Sequence, residues 1–250
     1  MLLLKRYAFV SLYFSREREQ LLFYFDSWID IIFIAVAVVI SMVLHEIAHG
    51  YVALWNGDPT AKVSGRLSLN PLAHFDAIGF IMLMTVGFGY AKPVPVNPGN
   101  FKNRKRGIFT VAIAGVTVNI ILAFLSCGFL MLMYFLARIT GEGAARVFNG
   151  FAGFFSIMVR LNLNLVFFNL LPIHPLDGFR VVEAFTRFNN PYTKFIRDYG
   201  HYILLALIIL GVVVEIFNLP YFIDILGLYI RKMTEWVSMG FIWFWGLIFG

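Results

Sequence analysis

"MVLHEIAHGYVALWNGDP", residues 42–59, places two histidines and a glutamate inside a stretch whose other residues suit lipid. An ionisable side chain in hydrocarbon is costly unless it is paired, hydrated or bound to metal. His45 and His49 stand at i and i+4 on a helix, one above the other, so both imidazoles can grip one ion. Glu46 is turned about 100° from His45, where it reaches a metal-bound water without ligating the metal, the position of a general base. The competing reading is a pair of histidines hydrogen-bonded inside a polar bundle core.

The surrounding chain decides the solvent. Its 250 residues are 60% hydrophobic and 14% charged, with a mean hydropathy of +0.80. A soluble domain carries about a quarter charged residues, so the composition excludes one. No Asp, Glu, Lys or Arg occurs in residues 31–45, 107–137, 161–176, 199–214 or 236–250. A span needs about 20 apolar residues. The gaps predict spans at Trp28–Trp55, Ile108–Ala137, Phe151–Leu171 and His201–Phe217, with Trp236–Gly250 a short fifth. The expected fold is an all-α polytopic membrane protein of about five to six transmembrane helices. Residues 1–27 read as an interfacial segment with snorkelling basic side chains; Leu2–Leu4 is too short for a signal core. The single Cys127 sits mid-span, which excludes an internal disulfide and a thiolate zinc site and leaves a small packed residue. The net charge of +6 is loop charge on one membrane face and calls for no nucleic acid.

Two histidines leave a catalytic zinc one protein ligand short. In "FFNLLPIHPLDGFR", residues 167–180, a span ends, Pro172 and Pro175 forbid further helix, and Asp177-Gly178 turns the chain. Asp177 is thus a carboxylate on irregular backbone at membrane depth, tolerated only against protein or a wet cavity, and the best third ligand. His49 and Asp177 meet only if residues 57–107 do not cross the bilayer. Their apolar run Ala77–Val86 is too short to span and is flanked by Gly79, Gly87 and Gly89. A re-entrant, partly extended or β element after the first span is therefore expected. Lys62, Arg66, Lys92, Lys102, Arg104, Lys105 and Arg106 share the ligands' side, which makes it cytoplasmic by the positive-inside rule, although Lys5, Arg6, Arg16 and Arg18 then fall outside.

From Trp28 to Glu183 the chain resembles the site-2 proteases, zinc metalloproteases of the M50 type that cut within membranes, in their compact form without PDZ or CBS domains. The resemblance rests on "HEIAHG", "GDPTAKVSGRLSLNPLAHFD" (57–76), "GYAKPVPVNPGNF" (89–101), "AGVTVN" (114–119) and "NLNLVFFNLLPIHPLDG" (162–178), in this order. It implies one zinc per chain on His45, His49 and Asp177, Glu46 as catalytic base, and Asn119 and Asn169 holding substrate or the oxyanion. The chain departs from the family's usual prolines at Ala77, Val116 and His174. His174 tunes proton transfer or is a tolerated replacement; Asn164 and Asn162 are packing residues or support the site from behind.

The expected organisation is an interfacial segment at 1–27, a catalytic membrane core at 28–183 and membrane segments at 184–250. The expected function is intramembrane proteolysis of a transmembrane substrate, from a plasma-membrane protein whose site faces the cytoplasm. The alternative is a family member that binds membrane spans without cutting them. In "KPVPVNP" the prolines deny helix, so residues 92–98 either receive substrate as an added strand or simply cover the site.

Overall fold

The computed structural model describes residues 28–74, 79, 92–186 and 190–249. Its helices are α1 (Trp28–Trp55), α2 (Thr60–Val63), α3 (Arg104–Ile139), α4 (Glu142–Asn169), α5 (Asp177–Phe185), α6 (Pro191–Ile216) and α7 (Ile225–Phe249). α1, α3, α4 and α6 are long and apolar enough to cross a membrane. The expected interfacial segment at 1–27 lies outside the described residues.

Local chemistry sets the helix ends. α1 stops where Gly57 adopts a left-handed φ of 106°, a conformation open to glycine, and the Asp58 N–H closes back on the Ala53 carbonyl at 2.9 Å. α3 starts at Asn103, whose side-chain oxygen accepts the Arg106 N–H at 3.0 Å. α6 starts with Pro191 in its first turn and Asn190 accepting from the Tyr192 N–H at 2.9 Å. Pro220 breaks the chain between α6 and α7, as its fixed φ and missing donor require.

α3 and α4, joined through Thr140 and Gly141, form a long antiparallel hairpin, and α1 packs antiparallel to α3. The central core is built where α3, α4 and α7 meet: Ala123, Cys127, Val159, Leu163 and Ile242. Cys127 is fully buried there as a packing residue. A Cβ on Gly128 would lie 2.7 Å from the Trp245 ring, so glycine lets α7 close on α3; the Trp245 indole N–H donates to the Phe124 carbonyl at 2.9 Å. α7 carries Arg231, Lys232 and Glu235 in its first half yet runs alongside α3 and α4. Ile121, Leu125 and Phe129 of α3 and Leu205 and Ile209 of α6 remain exposed, the apolar outer face a bilayer covers.

Of the expected re-entrant element, the apolar run at 77–86 lies, but for Gly79, outside the described residues. Its described flanks are α2, a 3-10 turn at Pro71–Ala73, an irregular stretch at 92–97 and a 3-10 turn at Pro98–Asn100. Among the described residues there is no strand. Asp58 holds the flanks together: fully buried, it accepts from the Thr60 N–H (3.1 Å) and hydroxyl, the Asn97 N–H (2.7 Å) and Asn100 Nδ2 (2.8 Å). Burial alone would raise its carboxyl, but these donors from Thr60, Asn100 and Asn97 outweigh burial and hold it below the ordinary range.

Candidate metal centre

His45 and His49 project from one stripe of α1, and Asp177 opens α5. Gly178 makes that approach possible, since a Cβ there would run into the Leu170 and Leu171 carbonyls at the end of α4. The three side chains converge. His45 Nε2 and His49 Nε2 are 3.0 Å apart, and Asp177 Oδ2 lies 3.4 Å from the first and 3.2 Å from the second. All three residues are buried.

The hydrogen bonds behind the imidazoles define what faces this triangle. Asn162 Nδ2 donates to the Met158 carbonyl (2.8 Å) and to Ser41 Oγ (2.9 Å), which turns its Oδ1 towards Asn119. Asn119 Nδ2 donates to that oxygen at 2.8 Å, so Asn119 Oδ1 faces His45 and accepts from its Nδ1–H at 2.6 Å. His49 Nδ1–H likewise donates to the Val111 carbonyl at 2.7 Å. With both Nδ1 atoms protonated, each neutral ring presents an Nε2 lone pair to the other ring and to Asp177. Asp177 Oδ2 has no hydrogen-bond partner although it is buried. Three electron-rich atoms packed this closely repel one another unless a cation sits among them.

The donor set fits zinc. Ligand atoms about 2.0–2.2 Å from a tetrahedral zinc lie about 3.3–3.6 Å from each other, close to the edges found here, and two nitrogens with one oxygen leave the fourth position open. The three residues could hold a metal ion. Gly115 belongs to the same construction: a Cβ there would lie 2.6 Å from both ring nitrogens of His45, so only glycine lets the imidazole rest on α3.

Glu46 is half-buried one residue along, and its Oε2 accepts the Val94 N–H at 2.9 Å. Pro93 and Pro95 flank that donor and have no N–H of their own. The Lys92 N–H goes to the His74 carbonyl (2.8 Å) and the Asn97 N–H to Asp58, while Arg66 donates to the Lys92 carbonyl. Most backbone donors of 92–97 are therefore used inside the protein, which favours the covering loop over an open strand edge.

The remaining expected residues fall as follows. Asn169 closes α4, and its Nδ2 donates to the Leu165 carbonyl of the same helix at 3.0 Å. Asn164 lies on the α7 side of α4, accepting from the Thr234 hydroxyl at 2.9 Å. His174 stacks edge-on against Phe179, with ring centroids 5.5 Å apart, and its buried Nδ1 has no partner. Burial, with the cations of Arg180 and Arg197 and His201 nearby, pushes the His174 ring below the ordinary histidine value, so at neutral pH it is uncharged. Ser41 and the Val111 carbonyl escape a motif search. Ser41 does carry a signal, standing four residues before His45 on the stripe that continues to His49.

Comparison with known proteins bears on this site. The model of "Peptidase family M50" matches residues 33–211. A Bacillus subtilis (strain 168) protein named "Putative zinc metalloprotease YwhC" is 44% identical over 151 residues, 60% of this chain and 68% of that protein. "Putative zinc metalloprotease Rip2" of Mycobacterium tuberculosis (strain ATCC 25618 / H37Rv) is 30% identical over 154 residues, 59% of this chain and 55% of that protein, so the chain spans little more than half of it. No solved structure matches. The match covers well over half of the chain, including His45, His49 and Asp177, and the chain belongs to peptidase family M50, the site-2 protease family of membrane zinc metalloproteases.

Proposed function

We propose that this protein is an intramembrane zinc endopeptidase that hydrolyses peptide bonds within or near the transmembrane segments of other membrane proteins. The observation that carries the reading is the convergence of two imidazole Nε2 atoms and a carboxylate oxygen without a hydrogen-bond partner, beside Glu46, which the Val94 N–H holds by one oxygen. His45, His49 and Asp177 would hold one zinc. When bound, zinc supplies a Lewis acid and a water whose pKa lies near neutrality.

The chain's own residues do the rest. Glu46, steadied by the Val94 N–H on one carboxylate oxygen, accepts the proton of the attacking water on the other and returns it to the leaving nitrogen. Asn119 keeps the His45 Nδ1 protonated and the ring fixed, and this positioning role is what its bonds support in place of direct contact with the oxyanion. Asn169, at the end of α4, remains a candidate for contact with substrate. The loop at 92–101 and the buried flanks of α1 and α3 keep bulk water from the site.

The proposed organisation keeps 28–183 as the catalytic core. α7, which follows α3 through the bundle, supports a fifth span. The basic residues at the start of α3 and α6 support a cytoplasmic active site in the plasma membrane. The test is cleavage of a single-span substrate in reconstituted membranes. Glu46→Gln should lower the rate by about 10²–10⁴ while leaving bound zinc in place. Wild-type cleavage by Glu46→Gln, or no cleavage by the zinc-loaded wild type of any membrane-span substrate, would contradict the proposal.

A further inference from the structure

A cavity of about 610 Å³ opens beside the metal-ligand cluster, sharing with it the wall residues Val111, whose carbonyl orients His49, and Phe179, two residues after Asp177. Its lining is strongly one-signed. Arg104 and Lys105 come from the first turn of α3, Arg180 from α5 and Arg197 from α6. Glu183 is the one carboxylate among the lining residues, and Arg197 already engages it. Lys105 also lies over the Phe185 ring, 5.0 Å from its centroid, which leaves its charge at the cavity edge.

Four basic side chains line one space against a single carboxylate, so the local field there is positive. The first turn of α3 holds basic residues and no acidic one, although the helix N-terminus is the positive end of the macrodipole. Two cations from other elements face the same space. An anion there is attracted by this field, and phosphate suits both the guanidinium forks and the helix start. The lining also holds apolar side chains, Phe101 and Ile108 among them. Arg104, Lys105 and Arg197 closely precede the apolar runs of α3 and α6 in the chain. We infer that this cavity is a binding site for a phosphate group, carried by an anionic phospholipid headgroup or by a free phosphate compound.

Occupancy would tie together α3, α5, α6 and the 96–101 loop. These elements carry the Val111 carbonyl, Asp177 and the chain that continues from Val94. The bound phosphate therefore braces the metal-ligand helix α5 against the elements that orient the other two ligands. The binding itself does not depend on the proteolytic reading; only this consequence rests on it.

The experiment uses the full chain in nanodiscs of phosphatidylcholine, alone or mixed with phosphatidylglycerol, with thermal unfolding and zinc content as readouts. Phosphatidylglycerol should raise the wild-type Tm by about 5 °C. Arg104→Gln/Arg180→Gln should lose that shift and keep its zinc, so failure here is separable from failure of the metal centre. Arg138→Gln/Arg146→Gln, at the opposite ends of α3 and α4, should retain it. If the first double variant does not fold, Arg180→Gln alone should lose most of the shift. Inorganic pyrophosphate added to phosphatidylcholine nanodiscs is the second arm: a shift in wild type that the Arg104/Arg180 variant lacks assigns the site to a soluble phosphate. The inference is overturned if neither phosphate carrier shifts the wild type, if the Arg104/Arg180 variant keeps the full shift, or if only an acidic peptide stabilises it.

Discussion

At the scale of single residues, the site depends on which nitrogen of each imidazole carries the proton, and that is decided from behind. Met158 orients Asn162, Asn162 orients Asn119, and Asn119 orients His45. Asn162→Ala should therefore weaken zinc binding by about 10-fold or more in a chelator competition, the range for loss of a partner behind a metal ligand. Ser156→Ala, equally buried on α4 but outside this chain of bonds, should leave the affinity unchanged. Gly115→Ala is expected to displace the His45 ring and lower zinc affinity by a similar factor, whereas Gly153→Ala, where a Cβ meets open space, should not. The histidines and Glu46 were legible because i, i+4 spacing is itself geometry. The role of Asn119 was not: its amide orientation is dictated by a side chain 43 residues away and finally by a backbone carbonyl, neither of which leaves a pattern in the sequence.

At the scale of elements, Asp58 joins the end of α1 to the loop whose Val94 N–H holds Glu46. Asp58→Ala should cost about 2–3 kcal/mol of stability, since several donors to a buried charge lose their acceptor at once, and should slow cleavage while leaving zinc bound. The pH dependence has a definite sign. Because the folded carboxyl is held below its unfolded value, Asp58 contributes stability above about pH 4 and loses it as pH falls through the lower folded value. A Tm series from neutral to acidic pH should fall less steeply at its acid end in Asp58→Asn. The spans were legible from their charge-free runs, and α1 coincides with the expected Trp28–Trp55, but the starts of the later helices were not. α3 begins at Arg104 rather than Ile108, α4 at Glu142 rather than Phe151, and α6 at Pro191 rather than His201. Hydropathy registers the apolar run that fits the bilayer, while a helix continues through charged turns outside it until a cap or proline ends it.

At the scale of the whole molecule, the fold solves a problem of depth. α1 carries two ligands, the α3–α4 hairpin runs out and back along it, and Pro172, Pro175 and the packing of Gly178 against the end of α4 deliver Asp177 to the level of those ligands. Gly200 seats α6 on the backbone of His174, where a Cβ would meet the His174 carbonyl at 2.8 Å, so α6 closes the ligand-bearing turn from outside. The pairing of H-E-x-x-H with Asp177 was readable as a topological requirement, because the two meet only if the intervening segment stays on one side. The apolar run at 77–86 was too short for the sequence to specify a path, and all of it but Gly79 lies outside the described residues. The central claim is that two motifs far apart in the chain make one zinc site. Its most direct test is the zinc content per chain of detergent-purified protein, prepared without chelator, for wild type and Asp177→Asn. About one zinc in the wild type and a sharp loss in a variant of unchanged helical content is the predicted result. A zinc-free wild type, or an Asp177→Asn protein that keeps its full complement, would contradict it.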